Sequence, residues 1–354
     1  MGVVRPAPAV LPVTAATRIH SIDAFRVIAN LTIICVHTDL FLSAAFDPRV
    51  QFLGKLFNQF VRVATPFFFL AAGYFFAISL SRGAQPLPHA AKLIRRLGLF
   101  FLFWSLVYLL LPLDLVLQVP AVSYWKALRY LIWRSCSIQF LLEGDKVHLW
   151  FLPALSCALA LLATACRFRL ERALLWAAVA LYLVGLIAGA YKTTPIGLDL
   201  GINTRDGPFF STIFVITGFM IHRLNIQFSV RQALGLIALG IALRMLELYW
   251  VSGVHDATLT DIDYLLGTYP FGVGIFMLLL RTQGLGNVGW MVTLSRYSAG
   301  VYCAHMLIVD LLGTRPLVLG SPLWELSRPF VELALTFALV IGLGRIRLLR
   351  PVVT

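Results

Sequence analysis

The feature that most constrains this chain is a series of ten apolar stretches, each close to the about 20 residues that an α-helix needs to cross a bilayer. Their approximate positions are 22–43, 57–80, 95–118, 147–166, 173–190, 208–224, 232–252, 263–280, 297–313 and 327–344. The segments between them are short and more polar. We therefore predict an all-α fold, a polytopic membrane helix bundle of about ten transmembrane helices.

The composition agrees with this prediction. Hydrophobic residues make up 60% of the chain, charged residues make up 13%, and the mean hydropathy is +0.86. Ten helices of about 20 residues would use roughly 200 of the 354 residues, which leaves no room for a second globular domain. We predict one membrane domain over residues 22–349, between a cytoplasmic N-terminal lead at 1–21 and a C-terminal tail at 350–354.

The distribution of Lys and Arg predicts the orientation. If both termini are cytoplasmic, the short segments on that side carry sixteen basic residues and the opposite side carries ten. The positive-inside rule favours this arrangement. The net charge of +13 then reflects topology and contact with anionic membrane lipids. Because no basic run is interleaved with exposed aromatic residues, we expect no nucleic-acid partner.

Cysteine and histidine spacings predict no metal site. The five cysteines form no CxxC pair and fall mostly inside apolar stretches, as expected for small packing residues. The seven histidines show no HExxH or comparable spacing.

Arg26 and His37 lie eleven residues apart in the first apolar stretch. Eleven residues of helix make about three turns plus 20° and rise roughly 16 Å, so both side chains share one face at different depths. Such groups are costly in a membrane unless they face protein or a water-filled cavity. We therefore predict that this face is functional.

Local pairing explains some of the other buried charges. Arg244 and Glu247, like Asp23 and Arg26, are three residues apart and are expected to neutralise each other on one helix. Asp39 lies about 200° around a continuous helix from His37, so it is expected to be a partner of His37 only if the helix breaks there. Of these residues, His37 is the one for which helical spacing predicts no charged partner.

A neutral imidazole can take a proton from a hydroxyl, because its ordinary pKa is near 6.5. An arginine on the same helix face adds a fixed cation for an anionic substrate or an oxyanion. Two alternatives stay open from the residues alone. A lone histidine in a membrane can simply bond to a neighbouring helix, and the same polar face can line the path of a transporter for a sugar or an organic anion.

The chain resembles the acyltransferase family 3 membrane proteins, which O-acylate bacterial cell-surface and exported glycans. The resemblance begins with the Arg26/His37 spacing and covers nearly the whole chain in order. The other matching segments are Ser21–Phe25 (SIDAF), Thr65–Tyr74 (TPFFFLAAGY), His148–Pro153 (HLWFLP), Thr204–Phe210 (TRDGPFF) and Ser295–His305 (SRYSAGVYCAH). In one departure, Ala72 stands where family members usually carry serine, and in another the basic cluster before the third stretch has only Lys92, Arg95 and Arg96.

The resemblance implies transfer of an acyl group, most simply acetyl, from cytoplasmic acyl-CoA to a hydroxyl of a glycan or lipid-linked glycan at the bacterial inner membrane. It implies that Arg26, Arg95 and Arg96 bind the donor, acetyl-CoA, and that His37 is the catalytic base. His148 and Arg205 would orient the acceptor sugar or stabilise the oxyanion. Glycan-assembly proteins would be the protein partners.

Each of these residues also has a structural interpretation. Arg95 and Arg96 are typical of membrane-interface anchors, His148 of a helix end beside Trp150, and Arg205 of a loop residue paired with its neighbour Asp206. For His305 and Asp310 we favour hydrogen bonding between helices over a catalytic role. A non-catalytic scaffold in a glycan-assembly complex is a third possible function.

Overall fold

The computed structural model describes residues 18–42, 46–119, 122–254, 262–313 and 321–354, and this part of the chain contains fifteen α-helices and no strand. The helices are α1 (His20–His37), α2 (Pro48–Val61), α3 (Ala64–Ser81), α4 (Pro86–Leu110), α5 (Leu113–Gln118), α6 (Tyr124–Ser135), α7 (Ile138–Glu143), α8 (Phe151–Phe168), α9 (Glu171–Ala188), α10 (Pro208–Arg223), α11 (Val230–Val254), α12 (Thr268–Arg281), α13 (Gly289–Leu294), α14 (Ser298–Gly313) and α15 (Pro322–Arg345). The all-α prediction is confirmed. The predicted lead at 1–21 lies, through residue 17, outside the described residues.

Six helical segments are long and apolar enough to cross a membrane, which makes this a polytopic helical membrane protein. They are Pro48–Ser81, Pro86–Leu117, Val147–Phe168, Glu171–Ala188, Val230–Val251 and Pro322–Arg345. The other four predicted spans correspond to α1, α10, α12 and α14, which have 18, 16, 14 and 16 residues. These four helices are shorter or more polar than the rest, and two of them, α1 and α14, carry histidines that meet in the interior.

The first helix ends earlier than predicted. The apolar stretch continues to residue 43, but α1 ends at His37, and the backbone turns over residues 38–42. Asp39 and Phe41 have φ angles of 50° and 68°, in the left-handed region. Aspartate adopts this region more readily than most residues because its side chain can bond locally. The helical argument that separates Asp39 from His37 therefore does not apply.

The second predicted span, 57–80, is broken into α2 and α3 at Arg62 and Val63. Pro66 explains the break. A proline has no N–H group to donate to the carbonyl four residues before it, and its ring clashes with that carbonyl. In this chain the carbonyl belongs to Arg62, which caps the C-terminus of α2. The break thus places a cationic side chain at an interior helix end.

Helices α3 and α10 approach each other most closely at two glycines. A Cβ at Gly73 would lie 1.9 Å from the carbonyl oxygen of Val215, and a Cβ at Gly218 would lie 2.0 Å from that of Leu70. Small residues at helix contacts allow such close backbone approach in membrane proteins. Helix α10 also packs against α8 and α9, and α12 packs against α3, so this pair forms the centre of the bundle.

The segment before α12 is attached to α11 by a pair of charged side chains that do not bond to each other. Arg244 donates to Gln59 at 2.7 Å and to the hydroxyl of Thr268 at 2.9 Å. Glu247 accepts from the backbone N–H groups of residues 266 and 267. Arg244 and Glu247 attract each other as predicted from their spacing, but they form no direct ion pair, because each side chain bonds to other polar or backbone groups.

The loop before α10 is also anchored. The Thr204 hydroxyl donates to the carbonyl of Gly185 at 2.8 Å, and Tyr264 donates to the Thr204 hydroxyl at 3.0 Å. The loop ends at Gly207, whose φ of 77° suits glycine, and Pro208 then begins the helix. The anchored loop therefore fixes the positions of Arg205 and Asp206, which lie between Thr204 and Gly207.

Candidate active site

Three histidines from distant parts of the sequence meet in the interior. His37 is the last residue of α1, His148 lies in a 3-10 turn before α8, and His305 lies in α14. The ring centroids are 5.2 Å apart for His37 and His305, 4.8 Å for His148 and His305, and 6.3 Å for His37 and His148. We call these three residues the histidine cluster.

Main-chain carbonyls orient two of the three rings. His305 Nδ1 lies 2.6 Å from the carbonyl oxygen of Tyr302, and His148 Nε2 lies 3.1 Å from that of Cys303. A carbonyl oxygen only accepts, so each of these ring nitrogens carries the proton. The other nitrogen of each neutral ring is then a bare acceptor. Neighbouring carbonyls on one helix thus select the tautomers of both histidines.

A cavity of about 90 Å³ lies beside His37 and His148. The side chains of Thr65 and Tyr302 also line it, and Arg62 and Arg205 bring two guanidinium groups to its wall. This volume is well above the about 10–15 Å³ that a single water molecule needs on the same measure. The cavity can therefore admit a small molecule or group beside His37.

One carboxylate joins the two arginines of this cavity. Asp263 Oδ1 accepts from Arg62 at 3.1 Å and from Arg205 at 3.2 Å. The Arg205 guanidinium also lies over the ring of Trp150, 5.0 Å from its centroid. An arginine that is stacked and paired in this way keeps its position and its charge. The cavity therefore has preorganised cations on one wall.

The surroundings of Arg205 preserve its positive charge. Burial lowers the pKa of the guanidinium, but Asp263, Asp206 and Glu143 together outweigh burial and raise it. Arg205 bonds to Asp206 at 3.3 Å and lies 3.7 Å from Glu143. Burial also raises the pKa of the Asp206 carboxyl, although Arg205 opposes this shift. The predicted pairing of Arg205 with Asp206 is observed, as one contact among three carboxylates.

A second cavity, of about 450 Å³, lies on another side of His37. Its lining includes Asp39, Asp310 and Arg328. Asp310 is buried and pairs with Lys146 at 2.7 Å. His37 thus separates two polar cavities, and it is the only histidine of the cluster that lines both. Such a position suits a residue that acts on molecules arriving from different directions.

Arg26 lies at the opposite end of α1 from the histidine cluster. It donates to Asp23 at 3.0 Å, and its guanidinium lies 5.5 Å from the ring centroid of Phe75. Asp23 is buried and also accepts from Arg18. The predicted pairing of Asp23 with Arg26 is confirmed. The structure does not bring Arg26 and His37 together, because the helix between them separates them by about 16 Å.

Arg95 and Arg96 are exposed on α4. Arg96 donates to the carbonyl of Thr354 at 2.5 Å and lies over Phe100 at 5.9 Å. Neither arginine lines the cavities beside His37. Their role in donor binding stays a prediction.

Two residues of this site, Arg62 and His305, are not among the predicted catalytic or binding residues. Arg62 lies at the cavity wall because the helix breaks before Pro66. His305 lies in the segment Ser295–His305 that resembles the family, and its ring lies beside the other two rings of the histidine cluster. The signal available in the sequence is that both residues lie in or beside a matching segment.

The part of the chain that the structure describes contains no group of three or more His, Cys, Asp or Glu residues arranged to bind a metal ion. All five cysteines are free thiols.

The fold and the cluster define a class: a helical membrane protein with a buried histidine site between its helices. Residues 19–344 match the family model described as Acyltransferase domain, Acyl_transf_3. Because the match covers most of the chain, the protein belongs to the acyltransferase 3 family.

Relatives of similar sequence are named as racemases. An amino-acid racemase from Enterococcus faecalis is 26% identical over 314 residues, which cover 82% of this chain and 41% of the relative. A serine/alanine racemase from Enterococcus gallinarum is 29% identical over 222 residues, which cover 60% of this chain and 30% of the relative. The chain therefore spans less than half the length of these relatives. No solved structure matches it.

Proposed function

We propose that this protein is an O-acyltransferase that moves an acyl group, acetyl in the simplest case, from cytoplasmic acyl-CoA to a hydroxyl of a cell-surface or exported polysaccharide or of its lipid-linked precursor. The observation that carries the proposal is the position of His37. In a chain of the acyltransferase 3 family, it lies beside a small cavity whose wall also holds two guanidinium groups.

The reaction follows from these groups. His37 takes the proton of the acceptor hydroxyl, and the oxygen attacks the thioester carbonyl. The C–O bond forms, and the negative charge moves to the carbonyl oxygen, where Arg62 and Arg205 stabilise it. When the C–S bond breaks, the CoA thiolate leaves and receives the proton from His37. Neutral His37 is thereby restored.

The donor is proposed to approach from the cytoplasmic side of the inner membrane, with both termini of the chain on that side. Arg26, Arg95 and Arg96 would bind its anionic phosphates. The separation of these residues from His37 along the helices supports a long donor whose phosphates and thioester lie far apart. The acceptor would reach His37 from the outer side, where glycan-assembly proteins would deliver it.

We do not propose racemase activity for this chain on the basis of the names of its Enterococcus relatives. They describe whole proteins, of which this chain matches 41% and 30%. The match to the acyltransferase domain covers residues 19–344, nearly all of this sequence. Acyl transfer is therefore the activity we propose for it.

The decisive experiment compares the polysaccharide of the host with and without this protein. We expect an alkali-labile O-acyl ester to be present in the parent and absent after deletion, and to return with the wild-type protein. Purified protein should also consume acetyl-CoA when the acceptor is present. A transporter would move its substrate without thioester turnover, so unchanged acetyl-CoA together with substrate uptake would replace our proposal with the transporter function.

Arg26 offers a test of donor binding. We expect Arg26→Gln to raise the KM for acyl-CoA about 10-fold, because it removes one phosphate contact of about 1.4 kcal/mol. The variant Asp23→Asn removes the ion pair between Asp23 and Arg26, together with the one to Arg18, but keeps the Arg26 cation. Acyl-CoA titration of both proteins separates the two roles. If Asp23→Asn weakens donor binding as much as Arg26→Gln does, the ion pair matters for structure and the cation does not bind the donor.

A further inference from the structure

Two buried ring nitrogens in the histidine cluster have no hydrogen-bond partner among the residues that the structure describes. They are Nδ1 of His148 and Nε2 of His305, in side chains of residues that are only 2% and 1% exposed. A buried polar atom without a partner is costly, and in a native structure it calls for an explanation. The two atoms belong to adjacent rings, and each can accept a hydrogen bond from a nearby donor.

The chemical state of His305 is set by its surroundings. The Tyr302 carbonyl accepts the Nδ1 proton of His305, so Nε2 carries the lone pair. This contact also limits rotation of the ring. His305 therefore presents a fixed, neutral acceptor in the interior of the bundle.

The residue that can use this acceptor is His37. Its ring centroid lies 5.2 Å from that of His305, with 42° between the ring planes. In the described part of the chain, His37 has ring contacts with the other two histidines but no hydrogen bond. When His37 takes a proton from a substrate, both of its nitrogens become donors. In a site with little water, the second donor needs an acceptor.

His148 is less suited to this role. Its bare nitrogen is Nδ1, and its ring centroid is 6.3 Å from that of His37. Tyr302 donates its hydroxyl to the backbone carbonyl of His148. Tyr302 thus joins the backbone of His148 to the ring of His305. His148 lines the cavity, and we do not assign to it the role of hydrogen-bond acceptor for His37.

We propose that His305 is a positioning residue for the base: its Nε2 accepts a hydrogen bond from His37, orients the ring, and stabilises the imidazolium that forms during acyl transfer. The arrangement resembles a catalytic triad in which a neutral histidine replaces the usual carboxylate. The proton stays on His37 until the CoA thiolate receives it, so His305 begins and ends the cycle neutral. This inference rests on the proposed acyl transfer.

The test uses three replacements of His305 that differ in where they place an acceptor. His305→Gln brings an amide oxygen near the position of Nε2, His305→Asn is one methylene shorter, and His305→Leu has no acceptor. We expect the Leu and Asn proteins to lose about 10²-fold in kcat with an unchanged KM for acetyl-CoA, as when an interaction of the transition state is lost. The Gln protein should stay within about 10-fold of wild type.

Leu307→Met provides the control, because it alters an apolar side chain of α14 while nearly conserving its volume. Detergent-solubilised proteins are compared by size-exclusion chromatography and by acetyl-CoA turnover with polysaccharide isolated from the deletion strain as the acceptor. Equal kcat values for the Gln and Asn proteins would overturn the inference, and so would a full kcat in the Leu protein. This Gln and Asn comparison remains decisive if the Leu protein fails to fold. If wild-type protein itself does not consume acetyl-CoA, the proposed function fails first, and this inference fails with it.

Discussion

Replacing His37 with alanine is expected to lower acyl transfer by about 10²–10⁴-fold, the usual loss when a general base is removed. The helix bundle should remain intact, because His37 is the last residue of α1 and no hydrogen bond of its side chain is described. The enlarged cavity still admits the substrates, so donor binding should be nearly unchanged. The measurement is the rate of acetyl-CoA consumption with the acceptor present, alongside donor binding to the same preparation.

Thr32→Ala is the matched control on the same helix. Within the described part of the chain, the Thr32 hydroxyl bonds only to the carbonyl of Ala29, one turn earlier in α1. Its loss should change the rate by less than about twofold, as is typical of substitutions away from buried networks. A His37→Ala protein that inserts normally and acylates at the wild-type rate would show that another group takes the substrate proton.

The helices are largely predictable because hydrophobicity in membrane proteins is tied to span length. Seven of the ten predicted stretches agree with a helix or helical segment to within five residues at both ends. The third stretch, 95–118, begins nine residues after α4 does. The remaining two differences arise at His37 and at Pro66, where a left-handed turn and a missing N–H group interrupt an apolar run. The hydropathy of a stretch does not reveal such a break in the helix, because the residues on both sides of the break are apolar. The turn after His37 brings Asp39 to the larger cavity, and the break before Pro66 brings Arg62 to the smaller one.

Only those contacts of the site that join residues close in sequence are predictable. The pair Asp23 and Arg26 follows from helical spacing, and it is observed at 3.0 Å. The contact between His37 and His305 joins residues 268 positions apart in sequence, and no periodicity within one helix predicts it. The same holds for Asp263, which reaches two arginines from a loop anchored by other side chains. Long-range packing decides which buried polar groups share a cavity.

The segments that resemble the family have separate tasks in this structure. Thr65 at the start of the second segment lines the cavity, and Gly73 near its end allows α10 to approach α3. The segment Thr204–Phe210 begins with a loop anchor, continues with the cation Arg205, and enters α10. A single motif in this protein therefore combines a chemical group with the packing contact that positions it.

Gly218→Val is expected to destabilise the protein severely. A Cβ at this position would lie 2.0 Å from a backbone oxygen of α3, which is not a flexible side chain that can move aside. Overpacking usually costs about 1–3 kcal/mol, and separation of two central helices should reach or exceed the upper value. We expect a lower thermal midpoint in detergent and a large loss of monodisperse protein. Activity should fall in proportion to the folded fraction.

Gly98→Val on α4 is the control, because a Cβ at Gly98 would meet no atom of the described residues within 4 Å. Valine has a somewhat higher helix propensity than glycine, so this change should be neutral or slightly stabilising. The comparison separates the cost of the α3 and α10 contact from the general effect of a larger residue in a membrane helix. It also separates folding from chemistry: Gly218→Val should lose protein and activity together, whereas His37→Ala should lose activity alone. A Gly218→Val protein as stable as Gly98→Val would show that α3 and α10 are not packed backbone to backbone at this glycine.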